Sequence, residues 1–126
     1  MASQPNLNTL FNQLRDILKE YEGVLTPKKD EVGNYDLWSF KDIEIAGRRR
    51  KEVFFASAVT RSNYVGFYFM PVYVDSELVG VFKPELLSLL KGKSCFHIKE
   101  LTPLLESQIR EALETGYALY KERQWV

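Results

Sequence analysis

Cys95 and His97 are the two residues whose types and spacing could most directly support chemistry. They lie two positions apart in a segment that reads as a strand, so both side chains leave the same face and could bind one metal ion. A transition-metal site usually needs three or four ligands, and the sequence holds one His and one Cys, so carboxylates from elsewhere would have to complete it. The more common arrangement is a small buried thiol beside a hydrogen-bonded imidazole.

A nucleophilic role for Cys95 meets a geometric obstacle. Side chains at strand positions i and i+2 stand about 6 to 7 Å apart at their roots, so His97 is poorly placed to activate the thiol directly. The sequence offers no third group that would orient such a pair. We therefore expect no catalytic residue and no cofactor, with Cys95 and His97 as the alternative metal pair.

Four consecutive basic residues, Arg48 to Lys51, form a second feature that could bind a ligand. They lie between two apolar segments, where a solvated hairpin turn is a more common explanation than a phosphate contact. The chain has 17 basic and 17 acidic residues, and the two signs balance within residues 1–52 as well as in the remainder. Nucleic-acid binding uses a concentrated positive surface, so this balance predicts no nucleic-acid partner.

The sequence carries no signal for export or for membrane insertion. Its first residues, MASQPNLN, lack the basic and apolar stretches of a signal peptide, and a single cysteine cannot form an internal disulfide. Every apolar run is far shorter than the roughly 20 residues that span a bilayer. We therefore expect a cytoplasmic protein with no membrane partner.

Hydrophobic periodicity predicts the helices that must support these residues. Residues 7–21 repeat apolar side chains at helical spacing, and Gly23 follows where a terminating residue is expected. A short helix is expected over residues 84–91, and a long one from Pro103 onward. Residues 24–35 are rich in Pro, Gly and charge, which indicates a surface loop.

Alternation of apolar residues predicts the strands. Residues 53–60 and 64–70 should form an antiparallel hairpin at the centre of a sheet, because one short polar turn separates them. In a strand over residues 37–45 the apolar residues change from one face to the other, which a bulge or bend near Lys41 and Asp42 would explain. A last strand is expected over residues 93–99, and residues 72–82 fit either an edge strand or an irregular crossing.

The order of these elements predicts the fold class. Strands and helices are segregated along the chain, which favours an α+β fold with a mainly antiparallel sheet and helices packed on one face. The chain is 126 residues long and 45% hydrophobic, which suits one domain over residues 1–126.

Aromatic residues on the predicted strand 64–70 divide between its two faces. Val65, Phe67 and Phe69 suit the core. The opposite face combines tyrosine hydroxyls with an opening at Gly66 and an adaptable methionine, a composition that suits a ligand groove or a partner surface. The predicted ligand-binding residues are Trp38, Tyr64, Tyr68, Met70 and His97.

Two blocks of the sequence resemble a known family. FASAVTRSNYVGFYFMP and LKGKSCFHIKEL, followed by a helix with a tyrosine-rich face, are similar to the YdhG-like family, domain of unknown function 1801, over roughly residues 53–124. The resemblance implies a compact α+β domain of small cytoplasmic bacterial proteins, most of them without an assigned activity. Some relatives are described as frataxin-like iron chaperones, a role that depends on an acidic helical ridge. The first helix departs from that ridge because Arg15 and Lys19 interrupt its carboxylates.

These observations leave three functional hypotheses open. The first is a non-enzymatic binding module, monomeric or homodimeric, whose aromatic groove takes a small molecule or a protein segment. The second is an intracellular iron or metal chaperone of frataxin-like type, or a metal-dependent enzyme, that uses Cys95, His97 and carboxylates from elsewhere in the chain. The third is a purely structural interaction protein that works as a homodimer.

Overall fold

Four helices and eight strands are present in the computed structural model, which describes residues 6–45, 47–74, 80, 82–92 and 94–126. The helices are α1 (Leu7–Lys19), α2 (Met70–Val74), α3 (Pro84–Leu87) and α4 (Pro103–Glu122). The strands are β1 (Asp30–Glu31), β2 (Asn34–Ser39), β3 (Ile43–Ile45), β4 (Arg48–Arg50), β5 (Val53–Thr60), β6 (Val65–Phe69), β7 (Leu90–Lys91) and β8 (Cys95–Ile98).

Six of the strands form one antiparallel sheet in the order β1-β2-β5-β6-β8-β7. The β5–β6 hairpin occupies its two central positions, as the sequence predicted. Both outermost strands, β1 and β7, are two residues long. The remaining two strands, β3 and β4, pair with each other in a separate ribbon. A mainly antiparallel sheet with four helices confirms the α+β class.

The core lies between one face of the sheet and the helices α1 and α4. Partners in an antiparallel pair point to the same side, so the register Tyr35, Ala58, Phe67 and Phe96 forms a row across four strands. All four side chains are fully buried. The predicted core face of β6 is therefore correct.

A β-bulge in β5 places two consecutive residues on the core side. Leu37 pairs with Ala56, whereas Trp38 pairs with Phe54, so Phe55 has no partner across the ladder. Phe55 and Ala56 are both fully buried, while Phe54 is half-buried on the other side. The bulge therefore directs one extra aromatic ring into the core.

Polar caps and apolar faces explain the two long helices. The Asn6 side-chain oxygen accepts hydrogen bonds from the backbone N–H groups of Asn8 and Thr9 at 3.0 and 3.3 Å. Thr102 Oγ1 accepts one from the N–H of Leu105 at 3.1 Å. The buried residues of α1 are Leu10, Phe11, Leu14, Ile17 and Leu18. Both helix starts agree with the sequence signals.

The predicted strand over residues 37–45 is wrong in its extent. β2 ends at Ser39, and residues 43–45 belong to the β3–β4 ribbon instead of the main sheet. Because the two parts belong to different sheets, their apolar residues need not lie on the same face of one strand. The run Arg48 to Arg50, expected to be a hairpin turn, forms strand β4. The expected loop 24–35 contains β1 and the start of β2.

Two further predicted elements have different bounds. β6 ends at Phe69, and Met70 begins α2, because Pro71 has no N–H for the ladder yet suits the first turn of a helix. The helix expected over residues 84–91 ends at Leu87, since residues 90–91 pair with β8. Of the undecided segment 72–82, residues 75–79 and 81 lie outside the described residues, as does Lys93 at the start of the predicted last strand.

The described helices include none that is both long and apolar enough to cross a bilayer.

The raised pKa values of three tyrosines predict that the protein loses stability at alkaline pH. Burial is the largest cause that raises the pKa of Tyr21 from 10.0 to about 12. Burial also raises the pKa of Tyr120, and burial together with a hydrogen bond to Glu22 raises that of Tyr35. Well below pH 10.0 these groups keep their protons in both the folded and the unfolded chain. Above it the unfolded chain loses protons first, so the free energy of unfolding must fall as pH rises.

We expect the urea midpoint to stay constant from about pH 8 to about pH 9.5 and to fall steadily toward about pH 12. Tyr21→Phe should remove part of this fall, since one of the three groups can no longer ionise in the unfolded chain. Urea titrations of both proteins at each pH measure the effect. Identical pH profiles for Tyr21→Phe and the unaltered protein would contradict the assignment to Tyr21.

Candidate functional site

The face of the sheet opposite the core carries the residues that the sequence singled out for chemistry. Gly66 pairs with His97, and Tyr68 pairs with Cys95. These four residues alternate with Phe67 and Phe96, which point into the core, so they share the outer face. Cys95 and His97 therefore leave the same side of β8, as predicted.

Five residues form a contiguous group on this face, which we call the outer cluster: Arg61, Tyr64, Tyr68, Cys95 and His97. The rings of Tyr64 and His97 stack with their centroids 3.9 Å apart and their planes 12° from parallel. Arg61 Nη2 donates a hydrogen bond to the Tyr68 hydroxyl at 2.7 Å. Arg61 is exposed and the other four are half-buried. The cluster thus presents a stacked ring pair and an oriented cation at the surface.

The opening expected at Gly66 is filled by the ring of Tyr68. A Cβ atom placed on Gly66 would lie 2.9 Å from Cε2 of Tyr68, so the ring rests on the glycine backbone. Gly66 itself is buried. Because no side chain stands beneath it, Tyr68 can lean along the strand and bring its hydroxyl to Arg61. The glycine therefore accommodates the Tyr68 ring.

Trp38 and Met70 lie outside the outer cluster. Trp38 is on β2, with its ring centroid 5.2 Å from that of Phe54 and 4.0 Å from the ammonium of Lys28. The β2–β5–β6 register places Trp38 beyond the Phe69 end of β6, whereas Tyr64 precedes the other end. Met70 is the half-buried first residue of α2. Of the five predicted ligand-binding residues, the structure brings together Tyr64, Tyr68 and His97.

The environment of Cys95 does not favour a reactive thiol. Burial raises the pKa of Cys95, and the opposing effects of the Tyr68 hydrogen bond and the Arg61 charge are smaller. A raised pKa leaves little thiolate at neutral pH, and the thiolate is the form that attacks electrophiles and binds metals. Cys95 therefore fits a structural role in the cluster better than a nucleophilic one.

A metal site at Cys95 and His97 would need further ligands. Within residues 6–45, 47–74, 80, 82–92 and 94–126, no group of three or more His, Cys, Asp and Glu side chains is placed to hold a metal ion. The His97 ring is engaged in its stack on Tyr64. The iron-chaperone alternative stays a hypothesis from the sequence resemblance.

Arg61 is the member of the outer cluster that the sequence analysis missed, since it was assigned to the polar turn. Its backbone N–H donates to the carbonyl of Tyr64 at 2.8 Å, which closes the β5–β6 hairpin. An arginine at the start of such a turn can reach back over the partner strand, and the hydroxyl of a tyrosine farther along that strand then fixes its guanidinium. The sequence signal that could have predicted this contact is the tyrosine, Tyr68, seven residues after Arg61.

Two small depressions lie on the helical side of the molecule. One has a volume of about 50 Å³ and is lined by Ile17, Glu20, Tyr21, Arg110, Leu113 and Glu114. The other is about 10 Å³ and lies beside Gln108 and Ala112. Pockets for metabolites are roughly 300 to 1,000 Å³. Neither depression is therefore large enough for an organic ligand.

The fold and this surface define an α+β protein with a polar and aromatic patch on the outer face of an antiparallel sheet. No family model, no curated protein and no solved structure matches the chain. The resemblance to the YdhG-like family therefore stays a prediction from the sequence blocks described above.

Proposed function

We propose that this protein is a non-enzymatic binding module whose outer cluster contacts a segment of a partner protein. The observation that carries the proposal is the contiguity of Tyr64, His97, Tyr68 and Arg61 on a half-exposed sheet face. Tyrosine and arginine are among the residue types enriched at the energetic centres of protein interfaces. The proposal also includes the cytoplasmic location and the YdhG-like membership expected from the sequence.

Preorganisation of the cluster supports a binding role. Association costs free energy when flexible side chains must be ordered, by about 0.5 to 1.5 kcal/mol for each one immobilised. The Tyr64–His97 stack and the hydrogen bond from Arg61 to Tyr68 order these side chains before any partner arrives. A partner that meets this surface would therefore retain more of its interaction energy as affinity.

The shape of the surface favours a protein segment over a small molecule. Small-molecule sites are concave and enclose most of the ligand, whereas the Tyr68 ring fills the space above Gly66. A patch of aromatic rings around one cation suits the broader contact of a polypeptide. The raised pKa of Cys95 also favours binding over covalent catalysis.

Selection of peptides from a random display library on the purified protein tests this proposal. We expect the enriched peptides to bind Tyr64→Ala/Tyr68→Ala at least about tenfold more weakly than the unaltered protein, because interface aromatics dominate binding energies. The matched control is Val32→Ala/Phe40→Ala, which removes two apolar side chains that are 89% and 46% exposed elsewhere on the surface. Its affinity should be unchanged.

Two results would overturn the proposal. One is an enriched peptide set that binds the cluster variant as well as the unaltered protein, with circular dichroism showing that both are folded. The other is a metabolite that raises the melting temperature of the unaltered protein and loses this effect in the cluster variant, which would replace the protein segment by a small ligand.

A further inference from the structure

The β3–β4 ribbon carries exposed arginines along one of its edges. Arg48, Arg49 and Arg50 make up β4, and all three are exposed. Their partners on β3 are Ile45, Glu44 and Ile43, and within the described ranges no strand pairs with the other edge of β4. Ile43 is buried in the core, which anchors the ribbon to the rest of the domain. The ribbon thus holds a cationic strand edge in a fixed place.

Two of these arginines have no acidic partner in the part of the chain that is described. Arg49 Nε lies 3.3 Å from Asp42 Oδ1, and the nearby Glu52 is paired with Lys28 at 2.7 Å. Arg48 and Arg50 make no such ion pair among the described residues. Since they are two positions apart, both leave the same side of β4, with roots about 6.6 Å apart.

We propose that the outer edge of β4 binds an extended acidic segment of a partner protein, which adds to the ribbon as a third strand. Strand addition uses the backbone groups of a free edge for affinity and alternate side chains for specificity. Carboxylates at alternate positions of the incoming segment would face Arg48 and Arg50, and opposite charges across a strand pair attract. This site is separate from the outer cluster and does not depend on the proposed function.

The distribution of charge favours an acidic polypeptide over a nucleic acid. The positive residues of this region are Lys41, the three arginines of β4 and Lys51, while Asp42, Glu44 and Glu52 lie in or beside the same ribbon. A polynucleotide carries a phosphate at every step and would run onto these carboxylates in either direction. A segment with two carboxylates at alternate positions could pair with the two arginines without lying beside those protein carboxylates.

A structural role is the competing explanation for this edge. Charged side chains on a free strand edge prevent unwanted edge-to-edge pairing, and such an edge binds nothing. The two explanations differ in one measurable respect. Only an acceptor edge discriminates between acidic peptides of equal charge that differ in the spacing of their carboxylates.

Fluorescence anisotropy with two labelled peptides tests the proposal. One heptapeptide alternates threonine and glutamate, and the other has the same composition with its glutamates adjacent. We expect the unaltered protein to bind the alternating peptide at least about fivefold more tightly, and Arg48→Glu/Arg50→Glu to bind it at least about tenfold more weakly. Raised salt should weaken the binding, because the pairs are exposed. An alternating peptide with N-methylated backbone groups should not bind.

Matched variants make each outcome decisive. Lys91→Glu/Lys99→Glu changes the net charge by the same amount at two other exposed positions and should bind the peptide normally. Tyr64→Ala/Tyr68→Ala should also bind it normally; a loss there would move the site to the outer cluster and overturn this proposal alone. Equal affinity for both peptides, absence of binding, or tighter binding of a single-stranded oligonucleotide would each overturn it as well.

Discussion

Phe55→Ala should lower the free energy of unfolding by about 4 kcal/mol, because it removes a buried ring that packs between the sheet and the helices. Phe55 is fully buried, and its ring centroid lies 5.2 Å from that of Tyr120, 5.7 Å from Phe69 and 6.0 Å from Tyr21. These rings come from β6, α4 and the segment after α1, so none can move into the space without disturbing another. Urea denaturation monitored by circular dichroism measures the loss.

The preceding residue supplies the matched control. Phe54 is the same residue type on the same strand, but the β-bulge directs it to the outer side, where it is half-buried against Trp38. Phe54→Ala should therefore cost less than about 1.5 kcal/mol. Equal losses for the two variants would show that the bulge does not separate the two side chains as described.

Gly116→Ala should destabilise the protein by about 2 kcal/mol, although alanine is the better helix former by about 1 kcal/mol. A Cβ atom at Gly116 would lie 2.5 Å from Cζ of Phe69 and 2.8 Å from Cγ of Pro71. Phe69 is fully buried among other rings and the proline ring is rigid, so neither can give way cheaply. Gly116 therefore permits the close approach of α4 to the end of β6.

The sign of the change in the free energy of unfolding decides this prediction, and urea denaturation measures that change. If α4 left room at Gly116, alanine would stabilise the helix. The control is the reverse substitution at an exposed position of the same helix: Ala118→Gly should cost about 1 kcal/mol by helix propensity alone. A Gly116→Ala variant that is more stable than the unaltered protein would contradict the packing described here.

Elements with local signals were predictable from the sequence. α1 and α4 combine helical periodicity with capping side chains at Asn6 and Thr102. The β5–β6 hairpin has a short polar turn between two alternating segments. In each case the residues that specify the element lie within it or beside it, so no knowledge of the tertiary structure is needed.

Elements that depend on distant partners were not predictable. β7 is two residues whose strand conformation comes from pairing with β8, against a local helical pattern. The bulge at Phe55 depends on the register of β2 against β5, which neither strand encodes alone. α2 was not predicted because the apolar and aromatic residues of β6 continue in the sequence up to Met70.

The candidate site likewise combines a feature that follows from local sequence with features that depend on distant strands. The shared face of Cys95 and His97 follows from strand alternation and was predicted. The stack of His97 on Tyr64 requires β8 to pair with β6 across a long stretch of chain, so proximity could not be inferred from sequence spacing. Trp38 was grouped with these residues by its type, and the register places it at the other end of the sheet.

The shortness of β1 and β7 has a consequence for self-association. Edge strands of two residues offer too few backbone groups for a second copy to extend the main sheet, and natural proteins use such short edge strands to avoid polymerisation. The two ends of the main sheet are therefore poor places for the sheet to continue from one copy of the chain into the next.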